Sequence, residues 1–294
     1  MLGVAEAQAG ISVLFIGNSF TFGAGSPVKF YRAGTVTDLN GEGIGGVPAL
    51  FESFAQQAGI DFDVFVETRP GSGLDFHLEN KREVIGTHRW DMVVMHGYST
   101  LDRDKPRDRA KLIATSKEMA DFLRTGNPNV ALYLTATWSR ADQTYLPTGA
   151  WAGEPIEAMA LDVRAAYDEA AAASAVEAVI PVGEAWTRAM QTGVADSNPY
   201  DGIEPGNLDR WTYDQYHGSA YGYYLEALVV FGSLTGRDPR SLGENECSAY
   251  ELGIARPQAQ ALQQVAFEQL VSKGDIVLSP FPGPVDLERC VLEP

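Results

Sequence analysis

The sequence predicts an α/β fold, a three-layer α/β/α sandwich around a mainly parallel, five-stranded sheet. Three observations lead there. Five short apolar runs recur along the chain, each of strand length and bounded by turn residues. Longer stretches with helical spacing of apolar side chains lie between them, the alternation that covers both faces of a parallel sheet. Hydrophobic content of 45% with 21% charged residues supports a sizeable core, with no internal repeat or low-complexity linker.

The elements follow in order. Residues 12–16 (Ser-Val-Leu-Phe-Ile) read as a buried strand ended by Gly17, and 62–67 and 92–96 as the second and third strands. Residues 108–124 place Leu112, Ile113, Met119, Phe122 and Leu123 on one helical face, and Gly126-Asn127-Pro128 stops that helix. Strand four is expected at 131–135. An Ala-rich helix over 156–175 uses Met159, Leu161, Val163 and Tyr167 as its apolar positions, and strand five follows at 178–182. A further helix is expected over 218–234, and an apolar helical stretch at 259–271 lies in the tail. Three connections are long and aromatic, residues 22–47, 138–155 and 198–216. Their length points to function or disorder, and their aromatic content argues against disorder.

The chain has 294 residues, a mass of 31.8 kDa, a formal net charge of −17 and a pI near 4.6. So acidic a surface argues against nucleic acid or an anionic membrane as the main partner. No apolar run approaches the ~18 residues of a membrane span. Ala5-Glu6-Ala7-Gln8-Ala9 resembles the small-residue end of a signal peptide, though an ordinary Ala-rich leader fits as well. The two cysteines, Cys247 and Cys290, both lie in the tail. Paired, they would close a loop worth about 4 kcal/mol and agree with a periplasmic or secreted protein; unpaired thiols are the alternative.

Two short motifs carry chemistry. Gly17-Asn18-Ser19-Phe20-Thr21 follows the first strand, placing Ser19 in the turn beyond it, and Asp214-Gln215-Tyr216-His217 sets a carboxylate three residues before a histidine. Together they supply a hydroxyl nucleophile, a base and an acid to orient the base. Asp201 and Asp209 are rival acids without that spacing. Ser19 alone would also suit a helix N-cap.

This pair of motifs resembles the first and last blocks of the SGNH (GDSL) hydrolases, with Asn18 where that family usually has Asp. The resemblance covers about residues 10–236. It implies a flavodoxin-like catalytic domain over 10–240, with residues 241–294 as an extension packed against it. It also implies that Ser19 is the nucleophile, His217 the base and Asp214 the group that holds the imidazole. The oxyanion hole would use the Ser19 backbone N–H and a glycine after the second strand, with Gly71 the first choice in Arg69-Pro70-Gly71-Ser72-Gly73 and Gly73 the alternative. The third block departs from the family, which has Gly-x-Asn there. This chain reads His96-Gly97-Tyr98-Ser99, so Ser99 occupies the Asn position and His96 the position where some carbohydrate esterases place Gln. Either could donate.

Acyl transfer, most often to water, is the reaction these residues imply. Asn18, Trp138, Trp151 and Trp211 are the candidate substrate contacts, since rings above a cleft suit sugar or aryl faces; equally, long loops need apolar anchors. The expected activity is a serine esterase for short acyl groups, acetyl groups on a carbohydrate being the candidate. An acyltransferase, or a carbohydrate-binding or scaffold protein on the same fold, is the alternative. The expected partner is a small-molecule or carbohydrate ester, with no cofactor and no metal. His77 and His88, flanked by charged residues, read as solvated, and the alternating charges of residues 102–109 as an exposed face.

Overall fold

The computed structural model describes residues 10–272 and 277–280. The strands are β1 (Ile11–Gly17), β2 (Thr37–Asp38), β3 (Phe62–Thr68), β4 (Met92–Met95), β5 (Ala131–Thr135) and β6 (Ala178–Ile180). They form one sheet in the order β2-β3-β1-β4-β5-β6, with every pairing parallel. The helices are α1 (Gly46–Gln57), α2 (Leu74–Asn80), α3 (Arg82–Ile85), α4 (Ala110–Gly126), α5 (Ala141–Thr144), α6 (Glu157–Ser174), α7 (Val182–Gln191), α8 (Ala220–Thr235), α9 (Cys247–Glu251) and α10 (Arg256–Val271). The sheet thus has six strands rather than five. The additional one, β2, is a two-residue edge strand inside the long 22–47 connection, too short to carry a period.

Side chains of β1 alternate between two cores, as a pleated strand covered on both faces requires. Val13 and Phe15 join a cluster with α1, α7, α8 and α10. Leu14 and Ile16 join another with residues of α2, α4 and α6. Helix α8 is buried along most of its length, as its nearly continuous apolar sequence demands. Helices α9 and α10 contribute Ala249, Leu262, Val265 and Leu270 to the same cluster as α8. Cys247 is buried in α9, whereas Cys290 and the 1–9 leader lie outside the described residues. Among the described residues no helix is long and apolar enough to cross a membrane.

Strand β1 is flanked by β3 and β4, so the chain order reverses beside it. A ligand crevice opens at such a reversal, beyond the carboxyl ends of the strands. Ser19, the 69–73 loop and the 96–99 segment all leave the sheet at that end.

Candidate active site

Gly17 closes β1 because a Cβ there would collide with Thr21 Oγ1 and His96 Nε2. The chain then winds tightly: Phe22 N–H donates to Asn18 O at 3.1 Å and Ala24 N–H to Ser19 O at 3.0 Å. Tyr223 of α8 adds a hydrogen bond from its hydroxyl to Ser19 O at 3.3 Å. Ser19 is buried. Its backbone N–H, like that of Gly71, makes no hydrogen bond among the described residues.

The Asp214 turn is built around its own carboxylate. Oδ1 accepts from the Thr212 hydroxyl at 2.8 Å, Tyr216 N–H at 3.0 Å and His217 N–H at 2.9 Å. Oδ2 lies 2.6 Å from His217 Nδ1. Gln215 takes φ +56° to close the turn, and Thr212 N–H donates to His217 O at 2.8 Å across its base. Burial alone would raise the Asp214 carboxyl, but the donors from His217 and Thr212 outweigh it and hold it below the usual range. A carboxylate accepts only, so Nδ1 carries the proton and Nε2 is the nitrogen left to act as base. That Nε2 is buried and makes no hydrogen bond, including none to Ser19 Oγ. The two motifs meet through Phe20, whose ring centroid is 5.7 Å from that of His217 and 5.5 Å from that of Tyr216.

Several expected contacts are corrected. His96 is no oxyanion donor. Its Nδ1 lies 3.0 Å from Gly97 O, which can only accept, and its Nε2 lies 2.7 Å from Thr21 Oγ1. Burial pushes its pKa down to about 4, so it is a neutral ring with its single N–H spent. Trp138, Trp151 and Trp211 are core residues and face no substrate. Trp138 stacks on Trp186 at 4.4 Å beneath Phe20, Trp151 donates to Asp162 at 2.8 Å, and Trp211 donates to Ser139 O at 3.3 Å. Asn18 borders the cleft, but its amide is committed to the fold: Nδ2 donates to Ser72 O and Gly97 O, and Oδ1 accepts from Phe20 N–H. Gly73 answers to packing, since a Cβ there would strike the Tyr98 ring.

His77 is not solvated. It is fully buried, faces the Glu67 carboxylate through Nδ1, and donates from Nε2 to Gly17 O at 2.9 Å. Arg69 N–H meets the same carbonyl at 3.1 Å, so the residue two before Ser19 is held from two sides. His88 is exposed, as its neighbours imply.

Beside these groups lies a cleft of about 330 Å³ lined by Asn18, Gly71, Tyr98, Ser99, Thr100, Arg103, Pro106, Arg140, Gln143 and Tyr216. Arg140 donates to Asp142 through two nitrogens, at 3.0 and 2.7 Å, and to Ser99 Oγ at 3.2 Å. Its guanidinium carbon lies 3.6 Å from the Tyr216 ring centroid. Among the described residues no group of three or more His, Cys, Asp or Glu side chains could hold a metal ion.

No protein-family model and no curated protein matches the sequence. Solved structures do match in fold. A DUF4886 family protein from Bacteroides uniformis superposes with a TM-score of 0.62 at 18% identity, over 90% of this chain and 96% of that one. A protein assigned as an SGNH hydrolase from Slackia heliotrinireducens gives 0.51 at 20%, over 76% and 99%. An acetylxylan esterase from Geobacillus stearothermophilus gives 0.53 at 12%, over 78% and 96%. The chain has the SGNH-hydrolase fold. That likeness is one of fold, and the reaction rests on this chain's own residues.

Within the SGNH-hydrolase fold, the cleft residues that sequence reasoning missed include Tyr98, Arg103, Arg140 and Tyr216. Tyr98 and Tyr216 sit inside motifs already singled out, one before Ser99 and the other before His217. Arg103 lies in a run of mixed charge, and nothing local distinguishes it from its solvated neighbours.

Proposed function

We propose that the protein is a serine ester hydrolase for short acyl groups, with acetyl groups on a carbohydrate as the leading substrate. The observation that carries this reading is the Asp214–His217 couple, which fixes the tautomer and leaves Nε2 without a partner beside the Ser19 turn. Ser19 Oγ attacks the acyl carbon while His217 Nε2 takes its proton, and Asp214 stabilises the imidazolium that forms. The tetrahedral oxyanion is met by the N–H groups of Ser19 and Gly71, each such donor contributing roughly a hundred- to thousandfold in rate. Ser99 supplies the third donor: its oxygen accepts from Arg140, which leaves the hydroxyl proton to give. His217 then protonates the departing alcohol, and water repeats the sequence on the acyl-enzyme. Hydrogen bonds between base and nucleophile tighten in the substrate complex, so their absence in the free protein does not count against the pair.

The cleft's size and mixed lining favour a small acyl group over a long chain. Tyr98 offers a ring to a sugar, and a neighbour of this fold is an acetylxylan esterase.

Intact-mass analysis after treatment with a fluorophosphonate probe tests the reading. One adduct on the native protein and none on Ser19→Ala are expected. Folded protein that takes no adduct would argue for a binding protein instead. An adduct without hydrolysis of any acetyl ester would point to an acyltransferase.

A further inference from the structure

We propose that the cleft recognises an oxyanion on the alcohol part of the substrate through Arg103 and Arg140, an inference that rests on the ester-hydrolase reading of the same site. The cleft lining contains these two guanidiniums and no carboxylate, in a chain whose formal charge is −17. The overall charge repels an anion at long range, but that repulsion is screened beyond a Debye length of about 8 Å, and inside the cleft the local groups decide.

Arg103 differs from the arginines beside it. Its neighbours Arg107 and Arg109 are ion-paired, to Glu154 and Asp162 and to Glu169. Among the described residues Arg103 meets no carboxylate, yet its loop is held in a defined shape. Asp102 Oδ1 accepts from the N–H groups of Asp104 and Lys105 at 2.7 and 3.0 Å, and its Oδ2 meets Lys111 at 3.0 Å. Leu101 and Arg107, on either side, sit at φ +73° and +75°. That backbone strains a non-glycine residue, and such strain gathers where a ligand is clamped. Arg140 is fixed in a complementary way. Asp142 occupies one edge of its guanidinium and the Tyr216 ring one face, and Nη1 donates one proton to Ser99 Oγ with its second left to the cleft. A guanidinium N–H held in this manner suits one carboxylate or phosphate oxygen, and Arg103, which meets no carboxylate among the described residues, supplies the planar fork for the others.

Calorimetric titration of the full-length Ser19→Ala protein with galacturonate, galactose 6-phosphate and galactose tests this without turnover. At least one anion should bind tenfold or more tightly than galactose, and Arg103→Gln in the same background should abolish that preference. The two anionic arms distinguish a carboxylate from a phosphate. Equal binding of all three, binding of none, or a preference that survives Arg103→Gln would overturn the proposal. Fluorophosphonate labelling of the native protein reads the ester-hydrolase assignment separately. A labelled protein without anion preference loses only this inference, and an unlabelled one with the preference keeps the anion site but not the ester to which it was assigned.

Discussion

The Asn18 amide donates to Ser72 O at 2.8 Å and to Gly97 O at 3.2 Å, and so ties the loops after β3 and β4 to the turn after β1. Asp has the same shape and none of these donors. Asn18→Asp therefore sets a buried carboxylate against two carbonyls and should destabilise the protein by about 2–4 kcal/mol at pH 8, measured by urea unfolding. A protonated Asp regains one donor. Its folded pKa would lie above the unfolded value, so the deficit should shrink as pH falls. A deficit that does not change with pH would mean that the amide is not what joins the loops. At this scale the sequence was informative where chemistry imposes a spacing: Asp214 and His217 three apart can share one turn, and they do. It was silent where burial decides. His77 sits among charged residues yet meets Glu67 and Gly17 O across strands. Three tryptophans that could equally have been cleft rings or loop anchors turned inward, because nothing in a loop's own sequence says which side of it faces the core.

Helix α8 was legible from its apolar run, and the five longer strands from theirs, because burial on every side leaves a composition that periodicity can detect. Strand β2, with two residues, leaves none. The same helix carries an exception to its own pattern. Glu226 is buried with Oε2 unpartnered, near His96, Thr21 and Thr135, and burial pushes its pKa well above 4.5. The carboxyl costs the fold nothing extra below pH 4.5. Above it the unfolded chain ionises while the folded one stays protonated, and stability is lost as pH rises. Glu226→Met should thus stabilise by about 1–3 kcal/mol at pH 8 and by less at pH 4, read from denaturant midpoints. A variant that is destabilised equally at both pH values would show that the carboxyl has a partner.

Across the whole molecule the ionisable groups pull stability in two directions. Glu52, pushed up to about 7 by burial and by Asp61 and Asp63, favours folding below pH 4.5 and loses its contribution as pH climbs through 7. Asp214 and Glu67 are held low despite burial, by His217 and His77 respectively, and their contributions vanish as pH falls below the ordinary carboxylate range. Self-repulsion of an acidic chain with a pI near 4.6 also grows with pH. The melting temperature should peak near pH 5, fall by pH 8 and fall again by pH 3, and added salt should raise it at pH 8; a rise from pH 5 to 8 would contradict the balance. The loop that carries Arg103 stands apart from this collective charge. It leaves and rejoins the frame beside one backbone hydrogen bond, Arg107 N–H to Thr100 O at 2.9 Å, and is moored by Asp102 to Lys111 of α4 and by Arg107 to Glu154 and Asp162. Between those moorings residues 103–105 are exposed, and their side chains can change while β4 and α4 keep their places. On the proposed ester-hydrolase reading, variation at this exposed tip should retune which alcohol is accepted without disturbing how its ester is cut.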